Sequence, residues 1–112
     1  MPIIRSTAAG VTLAAALFLG PAQAGDPVAG QLKADTCMGC HGVVGQRNVY
    51  PSYHVPKLGG QHAEYLVDAL MAFREGVRDH PTMNAQARSL SEEDIEDIAA
   101  YFAASEPSSR GR

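Results

Sequence analysis

Residues 37–41 read Cys37-Met38-Gly39-Cys40-His41. Two thiols three positions apart with an imidazole directly after them form C-x-x-C-H, the attachment signature for c-type haem. The spacing has a physical reason. On one helical turn, two such thiols can each add to one of the vinyl groups on a porphyrin edge. The imidazole that follows is then aimed at the iron as its proximal ligand. Other uses of two cysteines fit less well. A structural zinc site wants four ligands, and His54, His62 and His80 lack the H-x₃₋₅-H spacing that would complete one. A thioredoxin-like redox pair sits in a βαβ setting, and nothing in this chain alternates like a strand. A plain disulfide or a free pair is the remaining alternative.

Upstream of the motif the chain begins with a segment of different character. Met1 to Thr7 carries one cation, Arg5, and Ala8 to Leu19 (AAGVTLAAALFL) is an apolar stretch of twelve residues. That length suits a signal-peptide core of about 7–15 residues and falls short of the roughly 18 that a membrane span needs. Pro21 breaks any helix, and Ala22-Gln23-Ala24 supplies the small–x–small pattern that signal peptidase reads. The stretch has no polar face and no cap, so it does not read as a helix of the mature protein. Residues 1–24 are therefore expected to be a signal peptide, and the protein periplasmic. Removing 24 of the 112 residues leaves 88, and losing Arg5 takes the formal charge from −3 to −4. Export bears on the cysteines as well, because outside the cytoplasm such a pair is oxidised or consumed by other chemistry.

Composition narrows the function classes. Apolar residues make up 46% and charged residues 19%, a folded rather than a disordered balance. Nine Lys and Arg against twelve Asp and Glu argue against non-specific nucleic-acid binding, which needs clustered cations along a phosphate backbone. Two cysteines cannot make a disulfide-rich scaffold.

Three helices are predicted. Val28 to Thr36 reads as a short helix running into the cysteine motif, with Asp26 as N-cap and Pro27 at the first helical position. From Gln61 to Glu75, Tyr65, Leu66, Ala69, Leu70 and Phe73 recur at helical steps, and Gly76 suits a left-handed C-cap. The last helix starts at the N-cap Ser91, with Glu92, Glu93 and Asp94 in its first turn and Asp94 completing a capping box. Leu90 and Ile95 flank this cap as a hydrophobic staple, and Ile95, Ile98, Ala99 and Phe102 form a buried stripe with Tyr101 at its margin. The helix ends at Glu106-Pro107. Gly42 to Gly60 has no periodicity and reads as a loop that wraps something. So small a set of helices makes a poor core, and a covalently held porphyrin would supply the missing apolar centre.

The sixth iron ligand decides between carrying electrons and binding small molecules. Val77 to Leu90, fourteen residues without a secondary-structure signal, reads as a long functional loop carrying Met83. A thioether on such a loop is what a Met/His cytochrome uses, and it raises the reduction potential. Met38 sits inside the attachment motif and cannot reach the other haem face. Met71 lies in a helix, where packing is the default role. His80 could ligate instead, giving a bis-His centre of lower potential.

These residues together resemble class I cytochromes c, and within them the cytochrome c4 and bacterial cytochrome c-553 group. The resemblance rests on Cys37-Met38-Gly39-Cys40-His41-Gly42, on Pro56-Lys57-Leu58-Gly59-Gly60-Gln61 leading into Tyr65-Leu66, and on Phe73-Arg74-Glu75-Gly76-Val77-Arg78. It continues through Met83-Asn84-Ala85 and Leu90-Ser91-Glu92-Glu93-Asp94-Ile95 to Ala99-Ala100-Tyr101-Phe102. It implies a small all-α class I cytochrome c fold, three main helices and long loops around one covalent haem c. It implies thioethers at Cys37 and Cys40, His41 and Met83 as axial ligands of the iron, and a Pro56 carbonyl accepting a hydrogen bond from the His41 ring. It also implies close crossing of Gly30 by the Tyr101–Phe102 face of the last helix. Cytochromes c4 carry two such domains and two haems, whereas this sequence has a single C-x-x-C-H. The propionates have candidate partners in Tyr50, Tyr53, Lys57, Gln61 and Arg78.

The expectation is a signal peptide over 1–24, a monohaem domain over 25–105 and a flexible tail over 106–112. Its function would be that of a periplasmic one-electron carrier rather than an enzyme, a monomer or a member of transient complexes. Partners would be a quinol–cytochrome c oxidoreductase and a terminal oxidase or reductase. The alternatives are the cytochrome subunit of a periplasmic dehydrogenase, such as a sulfide-oxidising flavocytochrome, and a sensor or peroxidase-like enzyme with a labile sixth ligand.

Overall fold

A computed structural model describes residues 2, 25–42, 47 and 52–106. The expected signal peptide and tail lie outside the described residues, apart from Pro2 and Glu106. Five helices, α1 (Pro27–Lys33), α2 (Asp35–His41), α3 (Ala63–Glu75), α4 (Pro81–Arg88) and α5 (Glu92–Ala104), follow one another. Extended structure among the described residues is confined to one isolated antiparallel bridge, Arg47 with His54.

The expected first helix is two helices. Asp26 caps α1, its Oδ1 accepting the Val28 N–H at 2.8 Å, with Pro27 at the first position. At Ala34 the backbone leaves the helical basin, with φ −83° and ψ 1°, and α2 starts again at Asp35. Ala34 is fully buried, so the bend falls where the chain meets the core. The cysteine motif is thereby helical in its own right, on α2.

The second difference lies between Gly76 and Ser91. Those residues are not a structureless loop, because Pro81–Arg88 form α4. Gly76 does end α3 in the left-handed region at φ 77°. His80 then caps α4 with its ring, Nδ1 accepting the Met83 N–H at 3.3 Å, and Pro81 takes the first helical position. The last helix follows expectation. Ser91 Oγ accepts the Asp94 N–H at 3.1 Å, and Asp94 Oδ2 accepts the Ser91 N–H at 3.0 Å, a complete capping box.

Packing centres on α5. Ala34, Leu66, Ile98, Ala99 and Phe102 form the buried cluster, with Cys37, Leu58, Leu70, Leu90 and Tyr101 packed around it. Helix α1 crosses α5 at Gly30, where a Cβ would collide with the Asp97 carbonyl and stand 2.9 Å from the Tyr101 Cβ. The approach falls on Tyr101 of the expected Tyr101–Phe102 face and, one turn earlier, on Asp97 rather than on Phe102. Beside it Lys33 reaches Asp97 at 2.6 Å and Asp94 at 3.0 Å, and the other Asp97 oxygen accepts the Asp26 N–H at 2.7 Å.

Two predictions follow from this crossing. Gly30→Ala forces α1 off α5 and should cost about 1–3 kcal/mol, roughly 4–8 °C of melting temperature per kcal/mol in a domain this small. A melt within ~1 °C of the unmutated haem protein would mean a looser crossing. The second concerns pH. The hydrogen bond from Lys33 and then the Asp26 N–H hold the Asp97 carboxyl below its usual 3.8. The Ser91 N–H, followed by Lys33, holds Asp94 down to about 2. Lys33 is raised above its usual 10.5, by Asp97 first and Asp94 next. Depressed carboxyls contribute in full above pH 3.8 and lose that contribution as pH falls through their folded values; the raised lysine loses its share only above 10.5. Lys33→Met should therefore be less stable on a plateau from about pH 4 to 10, and the deficit should close between about pH 4 and 2. Denaturant titrations at several pH values measure it, and a deficit unchanged at pH 2 would refute the linkage.

Candidate functional site

Helix α2 presents Cys37, Cys40 and His41 to a cavity of about 540 Å³. That lies within the ~300–1,000 Å³ of ordinary cofactor sites. Leu66, Ala69, Leu70 and Phe73 of α3 and Ile98 and Phe102 of α5 line it with carbon, and the segment Tyr53–Leu58 closes another side. This explains why the apolar face of α3 is only half-buried at Ala69, Leu70 and Phe73. It faces the cavity rather than a partner helix. Part of the expected wrapping loop, residues 43–46 and 48–51, lies outside the described residues.

No disulfide joins the two sulfurs, and Cys37 is the more buried of the pair. His41 Nδ1 stands 2.8 Å from the Pro56 carbonyl oxygen. A carbonyl only accepts, so Nδ1 carries the proton and donates, which leaves the lone pair on Nε2. The implied Pro56 contact is thus present in the fold.

Met83 also lines the cavity, from the first turn of α4 rather than from a loop. The physical reason is the cap: His80 and Pro81 nucleate a helix where the apolar pattern is too sparse to announce one. Met38 and Met71 are not among the cavity residues, and Met38 borders a small separate pocket behind the motif. His80 does line the cavity, with its ring edge-on to Tyr53 at 4.8 Å and to Phe73 at 6.3 Å. Helices α2 and α4 do not pack on each other, so the thiols and imidazole of one and the thioether of the other are separated by the cavity. Two thiols, an imidazole with its lone pair available, a thioether from a second element and apolar walls form a donor set that suits a covalently held haem. Among the described residues no group of three or more His, Cys, Asp or Glu gathers in the manner of a zinc site.

Of the propionate candidates, Tyr53, Lys57, Gln61 and Arg78 line the cavity, and Tyr50 lies outside the described residues. The Arg78 guanidinium lies 4.4 Å over the Phe73 ring. His54 also borders the cavity and was not anticipated; its Nε2 stands 2.6 Å from an Arg47 guanidinium nitrogen, so it accepts there. Asn84 was missed too. It is buried, and its amide bonds three backbone groups around the start of α4. Pro81, a helix-start residue, was the available signal for α4.

Comparison with known proteins points one way. The family model "Cytochrome c" matches residues 28–105. The chain is 45% identical over 86 residues to cytochrome c-554(548) of Halomonas halodenitrificans, covering 74% of this chain and 100% of that one. It is 43% identical over 82 residues to cytochrome c4 of Thiocapsa roseopersicina, covering 72% of this chain and 41% of that one. The crystal structure of reduced recombinant cytochrome c4 from Pseudomonas stutzeri superposes with a TM-score of 0.55 at 33% identity, over 72% of this chain and 50% of that chain. The match spans about half or less of the cytochromes c4 and the whole of the cytochrome c-554(548).

Proposed function

The chain belongs to the cytochrome c family and carries covalently attached haem c with its iron, and we propose that it is an exported monohaem electron carrier ligated by His41 and Met83. The observation that carries this reading is the cavity itself: it receives Cys37, Cys40 and His41 from α2 and Met83 from α4, two helices that otherwise do not meet. Bound there, the haem supplies reversible one-electron exchange between ferrous and ferric iron.

The chain's own residues do the rest. Cys37 and Cys40 tether the porphyrin edge. The Pro56 carbonyl holds the His41 ring by its Nδ1–H, which fixes the tautomer and the direction of Nε2. The Met83 thioether, a soft neutral ligand, favours the ferrous state and raises the potential. His80 serves the helix start instead, with Nδ1 taken by the Met83 N–H. Leu66, Leu70, Phe73, Ile98 and Phe102 keep water from the site. Were His41 and Met83 both to hold the iron, no position there would be left for a substrate, which is why we read the protein as a carrier of electrons.

Residues 1–24 act as a signal peptide that delivers the mature domain, 25–105, with its tail over 106–112, to the periplasm. No helix among the described residues is long and apolar enough to cross a membrane. A quinol–cytochrome c oxidoreductase and a terminal oxidase or reductase are the partners. They meet the cavity's open edge, where Cys40, Pro56, Lys57 and Tyr65 are exposed, in small and short-lived complexes.

The test is the visible spectrum of the exported protein with a haem-stained denaturing gel. Haem should stay with a chain that begins at Gly25, and the oxidised form should show the weak far-red thioether-to-iron band. Met83→Ala should lose that band, bind cyanide at neutral pH and fall in potential by on the order of 0.1 V or more, inside the ~0.8 V span that axial ligands command. Covalent haem with no such band in the unmutated protein would move the sixth ligand to His80 or to an open site and favour a sensor or enzyme. No covalent haem after export would overturn the Cys37–His41 reading.

A further inference from the structure

Asn84 follows Met83 directly and is one of two buried polar side chains among the described residues, at 7% exposure. Its amide is fully committed to backbone. Nδ2 donates to the Phe73 carbonyl at 2.7 Å and to the Arg78 carbonyl at 2.8 Å, while Oδ1 accepts the His80 N–H at 2.8 Å. Those groups belong to the end of α3, the turn after Gly76 and the cap of α4. The His80 ring in turn accepts the Met83 N–H, and Arg78 lies over the Phe73 ring. One side chain thus closes the segment from Phe73 to Asn84 into a hydrogen-bonded strap, with Met83 on its cavity side. Only a primary amide fits, since the site demands two donors on one atom and an acceptor on the other.

We propose that Asn84 is the positioning residue for Met83: by pinning the first turn of α4 to the end of α3, it sets how often the thioether leaves the haem iron. This rests on the Met83 ligation argued above. When the turn lifts, the Phe73 and Arg78 carbonyls lose a partner that buried backbone groups seldom go without. Asn84→Asp has almost the same shape but turns acceptor oxygens toward both carbonyls. Asn84→Ser keeps a small polar group that cannot reach all three.

The experiment is stopped-flow binding of cyanide to the oxidised haem protein at neutral pH, at concentrations where departure of the native ligand limits the rate. Both Asn84→Asp and Asn84→Ser should raise that limiting rate at least ~tenfold and weaken the far-red band. Gly30→Ala, which loosens the fold at the distant α1–α5 crossing, should leave the rate within about twofold, because ligand departure is local to the strap. Unmutated rates in both Asn84 variants, or an equal rise in Gly30→Ala, would overturn the proposal. An unmutated protein that lacks the far-red band would overturn the Met83 ligation first and this inference with it. Should neither variant fold, the Asn84 side-chain amide protons of the unmutated protein decide. Exchange slowed at least ~100-fold against a free amide is expected, and exchange at the free rate would overturn the pinning.

Discussion

Gly30 lies against the Asp97 carbonyl so closely that only a hydrogen atom fits between α1 and α5. How α1 packs on α5 depends on that approach. Three residues later Lys33 meets Asp97, and Asp26 gives its N–H to the other oxygen of the same carboxylate, so one buried side chain holds both ends of α1. Ala34 then turns the chain with its side chain in the core, and α2 leaves in a direction that sets Cys37 against the core cluster around Phe102. An ion pair of this kind is better at fixing a geometry than at adding net stability, because desolvation of the charges offsets much of their attraction. Here the geometry is what matters, since both thiols and His41 must reach one cavity.

The core that results is built beside the cavity. Of the seven buried apolar residues among the described ones, three are alanines, and the face of α3 that the sequence marks as apolar is half-buried. Small domains with so little buried carbon commonly borrow stability from a metal, a disulfide or a cofactor. In this protein the borrowing is also topological. Helices α2 and α4 have no packing in common, so on the ligation proposed above a group tethered to one and ligated by the other would couple them directly, and its binding free energy would become folding free energy.

Elements whose signals are local could be read from the sequence. Asp26-Pro27 marks the start of α1, Gly76 the end of α3, and Ser91 to Asp94 the start of α5, because in each case the residue that satisfies the orphan backbone groups lies within a turn of them. The cysteine motif was legible for the same reason, its chemistry being written in five consecutive residues. Features that depend on distant partners were not. Nothing around Ala34 announces a change in ψ, since the bend answers to packing against α5. Helix α4 was hidden because its cap is an imidazole, which is not a preferred N-cap, and because its stabilising amide reaches back to Phe73. Asp97 sits next to the expected stripe of α5, but its partner Lys33 is 64 residues away.

Charge shows the same limit in a form that bears on function. The whole sequence is acidic, with a net charge of −3, and that figure by itself suggests a basic partner. The structure distributes the charge unevenly. Glu92, Glu93 and Asp94 crowd the N-terminal turn of α5, where the helix dipole favours them, and Glu93 and Asp94 are met by Lys33. Among the described residues no acidic side chain lines the cavity, and the formally charged ones that do, Lys57 and Arg78, are cationic and exposed. Protein charge near the site is therefore opposite in sign to the charge of the chain. Exposed charges more than about one Debye length apart, ~8–10 Å in physiological salt, are largely screened from each other. On the reading proposed above, a partner docking at the cavity's edge would meet these two cations there. Net charge describes the molecule as a whole, whereas the local pair is what such a partner would meet at the proposed face.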